Sequence, residues 1–343
     1  MSNDPIPVSV PLVSICTPTY QRPELLRAAI ASCRAQTCGD FEMIITDNSP
    51  DDRAGAVVAS FNDPRLRYYK NEKNLGPFEN FIKVAALAQG KYVKFLMDDD
   101  LLKPECLARM VAVLEQHPTA GVAMAPMDLV DTESRRIFPR FYMFRKMYYR
   151  YRYQVGDGLI GGRRILRDFL TRDYPCCVPS GILFRRECLV QLGPFDPACD
   201  FAIDLDMVMR AATRYDFYYL DAVLSSWRYF PVNHTATLHQ KGLNIGAFYY
   251  ITRKILADTQ AMSLFPATEH PRLIRDSLFF CSCRSLLNGL AGLRALNLSL
   301  VAVTVRTILR EDPYVLNWLR LPVFIVREIL ASFRPPQTPL PKE

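Results

Sequence analysis

The stretch Phe95-Leu96-Met97-Asp98-Asp99-Asp100-Leu101-Leu102 sets three adjacent carboxylates at the end of an apolar segment, residues 91–97, whose length and composition predict a β-strand. Neighbouring carboxylates repel one another unless a positive group lies among them. Mg²⁺ and Mn²⁺ prefer carboxylate oxygen and often share their coordination sphere with a substrate's phosphates. The stretch therefore predicts a strand that ends in a metal site for nucleotide-phosphate chemistry. A plainer interpretation is equally compatible with it: Asp100 caps a helix that starts near Pro104, and the other two carboxylates are solvated turn residues.

Segments of strand length and helix length alternate on both sides of this stretch, from residue 10 to about residue 125. Such alternation is typical of a parallel sheet covered by helices. The predicted strands cover residues 12–16, 41–46, 65–70 and 91–97. Helices are predicted to begin at Pro23, Pro77 and Pro104, because proline is favoured in the first turn of a helix.

Three polar loops follow these predicted strands: Thr17-Pro18-Thr19-Tyr20, Asp47-Asn48-Ser49 and Asp98-Asp99-Asp100. Open parallel sheets bind their ligands at the carboxyl ends of the strands. We therefore expect the three loops to lie together and to form one ligand site.

Farther along the chain, strands are predicted over residues 180–184 and 217–220, with a helix over 204–212 that opens on acidic residues. From residue 242 onward the pattern is helical, with segments near 245–257, 273–287 and 298–309. The chain is long enough for one large α/β domain with appended helices. We predict an α/β domain over residues 8–240 and a helical C-terminal region over 241–335.

The composition is that of a globular protein, because half of the 343 residues are hydrophobic and 22% are charged. A net charge of +7 is small for this length, which argues against a nucleic-acid partner. One stretch, residues 140–153, combines basic and aromatic side chains without an acid. It predicts contact with a membrane surface or a phosphate-bearing acceptor, unless its aromatic residues pack beneath the C-terminal helices instead. Its cations are Arg140, Arg145, Lys146, Arg150 and Arg152.

The ten cysteines include no Cys-x-x-Cys pair, which argues against a zinc ribbon and a disulfide framework. Cysteines scattered through apolar segments are typical of a reducing compartment. The N-terminus has no signal-peptide pattern, and the longest apolar run, residues 296–305, has about half of the roughly 20 residues that a membrane span requires. These features predict a cytoplasmic protein, with residues 140–153 as a peripheral contact at the inner membrane face.

The polar loops and their order resemble family 2 glycosyltransferases of the GT-A fold, which move a sugar from a nucleotide diphosphate donor to an acceptor. The resemblance covers about residues 10–237, and the order and spacing of its motifs are more specific than any single motif. A last segment matches the acceptor half of these enzymes. The segments are Val13-Ser14-Ile15-Cys16-Thr17-Pro18-Thr19-Tyr20-Gln21-Arg22, Ile44-Ile45-Thr46-Asp47-Asn48-Ser49-Pro50-Asp51-Asp52, Asn74-Leu75-Gly76, Phe95-Leu96-Met97-Asp98-Asp99-Asp100, and Pro179-Ser180-Gly181-Ile182-Leu183-Phe184-Arg185-Arg186 running on to Gly193-Pro194-Phe195-Asp196.

The resemblance implies a nucleotide site on the first loops of the chain. Tyr20 would offer an aromatic face to the base, and Asp47 would accept the N–H of a uracil-like base. The alternatives are a tight turn after the first strand and an Asx-turn at Asp47, while Asn-x-Gly is also an ordinary turn. The implied nucleotide-binding residues are Pro18, Thr19, Tyr20, Arg22, Asp47, Asn74 and Asp98.

The resemblance also implies a divalent ion, Mn²⁺ or Mg²⁺. In the family's Asp-x-Asp motif the first Asp contacts the ribose and the last holds the metal. Met97 stands at the first position in this chain, which leaves Asp98 and Asp99 as the nearest equivalents. We favour Asp99 as the metal ligand, with Asp100 second.

The family's catalytic base is an acid at the start of a late helix, within a Glu-Asp-x-Asp pattern. The segment Ala202-Ile203-Asp204-Leu205-Asp206 keeps both aspartates, so the resemblance implies Asp204 as the base. A single displacement by the acceptor hydroxyl would invert the anomeric carbon. The alternative is that both acids serve only the start of the helix.

Further contacts are implied near the diphosphate and the acceptor. Arg228 would pair with the diphosphate through its planar fork. The usual histidine position holds Phe230, and His234 follows four residues later, either near the phosphates or as an exposed loop residue. Ser180, Gly181 and Asp206 are implied in the acceptor region.

The sequence thus predicts an α/β protein of the GT-A type: a mixed sheet flanked by helices, with a helical C-terminal extension. The predicted function is inverting transfer of a sugar from a nucleotide diphosphate, UDP-linked in our prediction, to a saccharide or lipid-linked saccharide in polysaccharide or glycan biosynthesis. A Rossmann dehydrogenase is excluded because no Gly-x-Gly-x-x-Gly follows the first strand. The alternative is a non-catalytic nucleotide-sugar-binding protein whose metal site has degenerated at Met97 and Phe230.

Overall fold

The computed structural model describes residues 10–137, 156–172, 179–229, 243–294 and 297–314. The β-strands in these ranges are β1 (Val13–Thr19), β2 (Phe41–Asp47), β3 (Leu66–Lys70), β4 (Tyr92–Phe95), β5 (Leu101–Leu102), β6 (Ala120–Met124), β7 (Met127–Val130), β8 (Gly158–Ile160), β9 (Ile182–Arg185), β10 (Asp216–Tyr219) and β11 (Ser225–Arg228). The α-helices are α1 (Pro23–Arg34), α2 (Arg53–Ser60), α3 (Pro77–Ala86), α4 (Cys106–Gln116), α5 (Gly162–Thr171), α6 (Arg186–Leu192), α7 (Ile203–Ala212), α8 (Leu243–Ala257), α9 (Thr259–Ser263), α10 (His270–Arg294) and α11 (Leu298–Glu311).

The described residues divide into two compact units. The first contains residues 10–128, 179–195 and 222–228, and the second contains residues 129–137, 156–172, 196–221, 229, 243–294 and 297–314. The predicted division into domains 8–240 and 241–335 stays a prediction.

The first unit is a mixed sheet in the strand order β3-β2-β1-β4-β9-β6. The strands β3, β2, β1 and β4 are parallel, and β9 is antiparallel to both of its neighbours, β4 and β6. Strands β1 and β2 are buried almost throughout, as expected for a sheet covered on both faces. The predicted α/β fold with a mixed sheet and flanking helices is confirmed.

Proline begins α1 and α3 as predicted, and their buried residues recur at helical spacing. The helix predicted to begin at Pro104 begins at Cys106 instead, as α4, and the short strand β5 lies between it and the acidic stretch. Asp100 therefore does not cap a helix.

Strands β1 and β2 extend farther than predicted, because their parallel pairing continues to Thr19 opposite Asp47. Strand β4 pairs with β1 only as far as Cys16 opposite Phe95. Beyond that point one side of β1 has no partner strand. Pro18 is tolerated because its nitrogen faces that side, while the Thr19 carbonyl keeps the pairing with β2 by accepting the Asn48 N–H. The chain adds β2 and β3 on one side of β1 and then returns to add β4 on the other. This is the switch point at which open α/β sheets form a ligand crevice.

The second unit contains the antiparallel pair β8–β10 and most of the C-terminal helices. The predicted helices near 245–257, 273–287 and 298–309 are confirmed as α8, α10 and α11. Their shared core includes Tyr249, Leu278, Cys281 and Leu300. Within the described residues, no helix combines the length and the apolarity that crossing a bilayer requires.

We predict that Gly90→Ala destabilises the first unit by about 1–3 kcal/mol. A Cβ at Gly90 would lie 2.6 Å from the backbone nitrogen of Ser14 and 2.9 Å from the carbonyl carbon of Val13, and neither backbone atom can move without disturbing β1. Gly39→Ala is the matched control, because a Cβ there meets nothing within 4 Å. Urea unfolding of both variants measures the difference; equal stabilities would contradict this close approach.

Candidate functional site

The carboxyl ends of β1 and β4 are linked by side chains where the two strands diverge. The Thr19 hydroxyl donates a hydrogen bond of 2.7 Å to Oδ2 of Asp98. Both residues are buried, with 2% and 6% of their surface exposed. Tyr20, the next residue, has 45% of its surface exposed. The structure therefore brings the first and third predicted loops together, with an aromatic side chain at the rim.

The three acids, Asp98, Asp99 and Asp100, have different partners. Arg22 Nη1 lies 3.3 Å from Oδ1 of Asp98 and 2.8 Å from Oδ2 of Asp99. Asp100 turns inward, and its Oδ1 accepts the backbone N–H of Arg228 at 3.1 Å. Its Oδ2 is buried without a hydrogen-bond partner among the described residues. Arg22 thus supplies part of the positive charge that offsets the repulsion among the three acids.

Burial raises the pKa of all three carboxyl groups. The pKa of Asp98 is raised to about 7 by burial and by the charge of Asp99, against the opposing effect of Arg22. Burial and the Asp99 charge raise the pKa of Asp100 well above its ordinary value, although Ser180 and the Arg228 backbone oppose this. Arg22 and Arg228 lower the pKa of Asp99, but burial still leaves it raised.

The side chains of these three acids fit a hard divalent ion, because carboxylate oxygens are its preferred ligands. One buried oxygen of Asp100 also has no hydrogen-bond partner among the described residues. The three carboxylates do not converge, however. Among the described residues, a group of three ligand atoms within 4.8 Å of one another occurs at Asp196, Cys199 and Asp206 and not here. Binding an ion at Asp98–Asp100 therefore requires some of these side chains to change their hydrogen bonds.

Asp47 is fully buried at the end of β2 and forms the Asx-turn that the sequence allowed, with its Oδ1 accepting the Ser49 backbone N–H at 2.7 Å. Its Oδ2 accepts the Tyr68 hydroxyl at 2.7 Å and lies 3.3 Å from Lys70 Nζ. Both lone pairs of Oδ2 are thus engaged and only Oδ1 keeps one. Because the side chain is 0% exposed, the predicted contact with a base N–H requires this loop to open.

A buried cluster of asparagine amides connects the loops after β2 and β3 to the start of α3. The Asn71 side-chain N–H group donates to Oδ1 of Asn48 at 2.7 Å and to Oδ1 of Asn80 at 2.9 Å. The Asn48 amide donates to the Gly76 carbonyl at 2.9 Å. Asn74 is exposed, and its Oδ1 accepts the Gly76 N–H at 2.8 Å, where Gly76 has a φ of +84°. This cluster, which the sequence did not predict, fixes the loop that carries Asn74.

The turn at Pro179–Gly181 lies beside the acidic stretch. The Ser180 hydroxyl accepts the Met97 backbone N–H at 3.1 Å. Lys94, which is fully buried on β4, donates to the Ser180 carbonyl at 2.7 Å and to the Ile182 carbonyl at 3.2 Å. A Cβ at Gly181 would lie 3.2 Å from the Ala125 carbonyl oxygen. Lys94 was missed because a lysine inside a strand pattern gives no signal of its own.

Arg228 is almost completely buried, with 1% of its surface exposed. Its Nε donates to the Asp99 carbonyl at 2.9 Å, and the pairing of β11 with β5 brings it there. In this structure Arg228 holds the acidic stretch in place. Phe230, His234 and residues 140–153 lie outside the described residues.

In the second unit, Asp204 and Asp206 occupy different environments in the first turn of α7. The carboxylate of Asp206 is 1% exposed and lies 2.8 Å from Arg210 Nε and 2.7 Å from Lys254 Nζ. Asp204 is partly buried, and its Oδ1 accepts the Leu205 backbone N–H at 2.8 Å. Burial raises the pKa of Asp204 to about 7. Neither acid is the N-cap, since α7 begins at Ile203 after Ala202.

Lys254 also bridges to Asp196, with Nζ 2.6 Å from its Oδ2. This hydrogen bond lowers the pKa of Asp196 to about 2. The group Asp196, Cys199 and Asp206 has the spacing of a metal site, but an ammonium group already compensates its two carboxylates. A cavity of about 720 Å³ borders this cluster, with Tyr250, Lys254 and Arg310 in its lining. No pattern in the sequence predicted a cavity there.

The family model described as glycosyl transferase family 2 matches residues 14–193. The chain belongs to glycosyl transferase family 2. The matched residues include Thr19, Arg22 and Asp98 at the ends of β1 and β4, and the turn that contains Ser180. The chain is therefore a glycosyltransferase, as the resemblance implied.

Individual proteins agree with this assignment. The glycosyltransferase is 25% identical over 237 residues to an uncharacterized protein of Mycobacterium tuberculosis, covering 68% of this chain and 72% of that one. It is 29% identical over 137 residues to the succinoglycan biosynthesis protein ExoO of Rhizobium meliloti, covering 39% of this chain and 38% of ExoO. The fold matches S. aureus TarS 1–349 crystallised with UDP-GlcNAc, with a TM-score of 0.58 at 17% identity over 88% of this chain and 93% of that one.

We predict that Asp204→Asn changes the pH dependence of stability. A carboxyl group whose pKa is raised on folding, from its ordinary value of 3.8 to about 7, stabilises the native state less as the pH rises through this range. The asparagine variant lacks this loss, so its stability relative to the wild type should increase from pH 5 to pH 8. Urea unfolding at both pH values measures it, and parallel pH profiles of the two proteins would rule out a raised pKa.

Proposed function

We propose that this glycosyltransferase transfers a sugar with inversion from a UDP-sugar to a saccharide or lipid-linked saccharide, in polysaccharide or glycan biosynthesis. The observation that carries the proposal is the meeting of Thr19, Asp98 and Arg22 at the carboxyl ends of β1 and β4, beside two further carboxylates. The names of two similar proteins support it: ExoO acts in succinoglycan biosynthesis, and TarS was crystallised with UDP-GlcNAc.

The proposed nucleotide-binding residues surround this site. Tyr20 would stack on the base from the exposed rim, and Asp47 would accept a base N–H with the remaining lone pair of Oδ1 once its loop opens. The asparagine cluster supports the same site, because it fixes the loop of Asn74 next to that of Asp47. Pro18, Thr19, Arg22 and Asp98 complete the proposed set.

Asp99 and Asp100 are the proposed ligands of Mn²⁺ or Mg²⁺. When bound, such an ion would neutralise the diphosphate and stabilise the departing nucleoside diphosphate. Asp99 is the better candidate because its carboxylate is partly accessible, with 15% of the side chain exposed, whereas Asp100 is turned into the protein.

Asp204 is the proposed general base, which takes the proton from the acceptor hydroxyl as that oxygen attacks the anomeric carbon. Two acids on one helix turn with different environments suit a division of roles. Asp206 is held by two cations, whereas burial keeps the pKa of Asp204 at about 7, close to the value that favours a base at neutral pH.

The remaining assignments are proposals that rest on the family resemblance. Arg228 and His234 are proposed to contact the diphosphate, and Ser180, Gly181 and Asp206 to serve the acceptor region. A cytoplasmic enzyme with residues 140–153 against the inner membrane face would reach a lipid-linked acceptor.

We predict that Asp99→Asn loses Mn²⁺-dependent UDP binding, because a diphosphate and clustered carboxylates repel one another until a cation lies between them. Isothermal titration with UDP in Mn²⁺ measures this, and circular dichroism checks the fold. Glu105→Gln is the matched control, since it removes one exposed acid outside the proposed site. Unchanged UDP affinity of Asp99→Asn in Mn²⁺ would remove Asp99 from the metal role.

We predict that Asp204→Asn lowers turnover by about 10²–10⁴ while UDP binding is retained, because a base acts on the acceptor and not on the nucleotide. Asp206→Asn should instead lower the melting temperature, since it removes the buried carboxylate that pairs with both Lys254 and Arg210. UDP release from a panel of UDP-sugars in Mn²⁺ is the assay. A wild-type protein that binds these donors but never turns them over would favour the non-catalytic alternative, and near-normal turnover by Asp204→Asn would place the base elsewhere.

A further inference from the structure

Arg22 has an unusual position among the candidate residues, because a single nitrogen of its guanidinium contacts two of the three clustered acids. Nη1 lies 2.8 Å from Oδ2 of Asp99 and 3.3 Å from Oδ1 of Asp98. The Arg22 side chain is 36% exposed, whereas those of Asp98 and Asp99 are 8% and 15% exposed. The cation thus lies on the solvent side of the carboxylates, where an incoming ligand would first meet it.

The backbone around Arg22 is shaped to hold it there. Gln21 has a φ of 53°, in the left-handed region that non-glycine residues rarely adopt, and its N–H donates to the Ser49 hydroxyl at 2.7 Å. Pro23 opens α1 and disfavours the helical conformation for Arg22, which has a φ of −130°. Gln21 before Arg22 and Pro23 after it therefore fix the backbone direction at Arg22. Such local strain persists where surrounding structure imposes it, and it is common at ligand sites.

The charge balance shows what this contact does. Arg22 places one positive charge against the carboxylates of Asp98 and Asp99. A divalent ion on Asp99 would meet the carboxylate whose Oδ2 already contacts Arg22. A guanidinium also pairs well with phosphate oxygens, through two parallel hydrogen bonds. Arg22 therefore has two alternative anionic partners: the acids of the protein and the diphosphate of a nucleotide.

We propose that Arg22 and the divalent ion compete for Asp99, and that the nucleotide's diphosphate removes this competition by drawing Arg22 to itself. The inference rests on the proposed function and adds a mechanism of metal–nucleotide coupling to it. Metal alone binds weakly because it must displace Arg22. Metal and UDP each strengthen the binding of the other, by the same factor because the two effects are linked.

The test measures Mn²⁺ binding by the loss of the free-ion electron paramagnetic resonance signal, for the protein alone, with uridine and with UDP. In the wild type, UDP should tighten Mn²⁺ binding, and uridine, which lacks phosphates, should not. In Arg22→Gln, Mn²⁺ alone should bind about twofold to fivefold more tightly, the range expected when a partly exposed ion pair no longer competes. The coupling between Mn²⁺ and UDP should fall by a similar factor.

Arg27→Gln is the matched control, because Arg27 lies on α1, the helix that begins directly after Arg22, and contacts Glu24 and Ser60 rather than Asp98 or Asp99. It should retain the wild-type affinities. Equal Mn²⁺ affinity of Arg22→Gln and the wild type, with unchanged coupling, overturns the inference and leaves the proposed function intact. Absence of Mn²⁺ binding by the wild type even with UDP overturns the proposed metal-dependent function and the competition with it.

A measurement on the wild-type protein keeps the inference testable if Arg22→Gln does not fold. Phenylglyoxal modifies accessible arginines, and mass spectrometry of peptides locates the modified residues. Saturating Mn²⁺ alone should speed modification of Arg22, because the ion frees it from the acids, and addition of UDP should protect it again. The rate at Arg27 serves as the internal reference. An Arg22 rate that is unaffected by Mn²⁺ would overturn the competition.

Discussion

The divergence of β1 from β4 is the constraint on which the first unit depends. The two strands pair from Val13 to Cys16 and then separate, because the next residues of β1 continue to pair only with β2. The gap exposes strand ends that would otherwise be covered, and polar side chains fill it: Thr19 from one strand and Asp98 from the stretch after the other. Polar groups can be buried in such a gap without a large free-energy cost only where they are hydrogen-bonded to one another. The site is thus a direct result of the strand order.

The elements of the fold were predictable where local pattern and tertiary environment agree. Helices α1 and α3 carry a proline in the first turn and an apolar stripe, so their starts could be read from the sequence. The extent of β1 and β2 could not, because the ladder continues through Pro18 and through polar residues that resemble a loop. Strand length depended on a partner strand, which is not a local property of the sequence.

The candidate site was predictable in its members but not in their contacts. The motif order singled out Asp47, Asp98 and Asp204, yet it gave no sign that Lys94 and the cluster of Asn48, Asn71 and Asn80 support the loops between them. Those residues meet across long sequence separations, and each is an ordinary polar residue in its own segment. Likewise, the different environments of Asp204 and Asp206 come from Lys254, which lies 48 residues beyond Asp206 on another helix.

The contacts that complete the acidic stretch also determine when it can form during synthesis. Met97 is held by Ser180, 83 residues later, and Asp100 by Arg228, 128 residues later. Contacts of such separation form late, because the loop that they close carries a large entropy cost. On the ribosome, β1 to β4 can pair while the acidic stretch still lacks both partners. The growing chain can therefore pair Arg22 with Asp98 and Asp99 early, whereas Asp100 lacks its partner until residue 228 has left the exit tunnel.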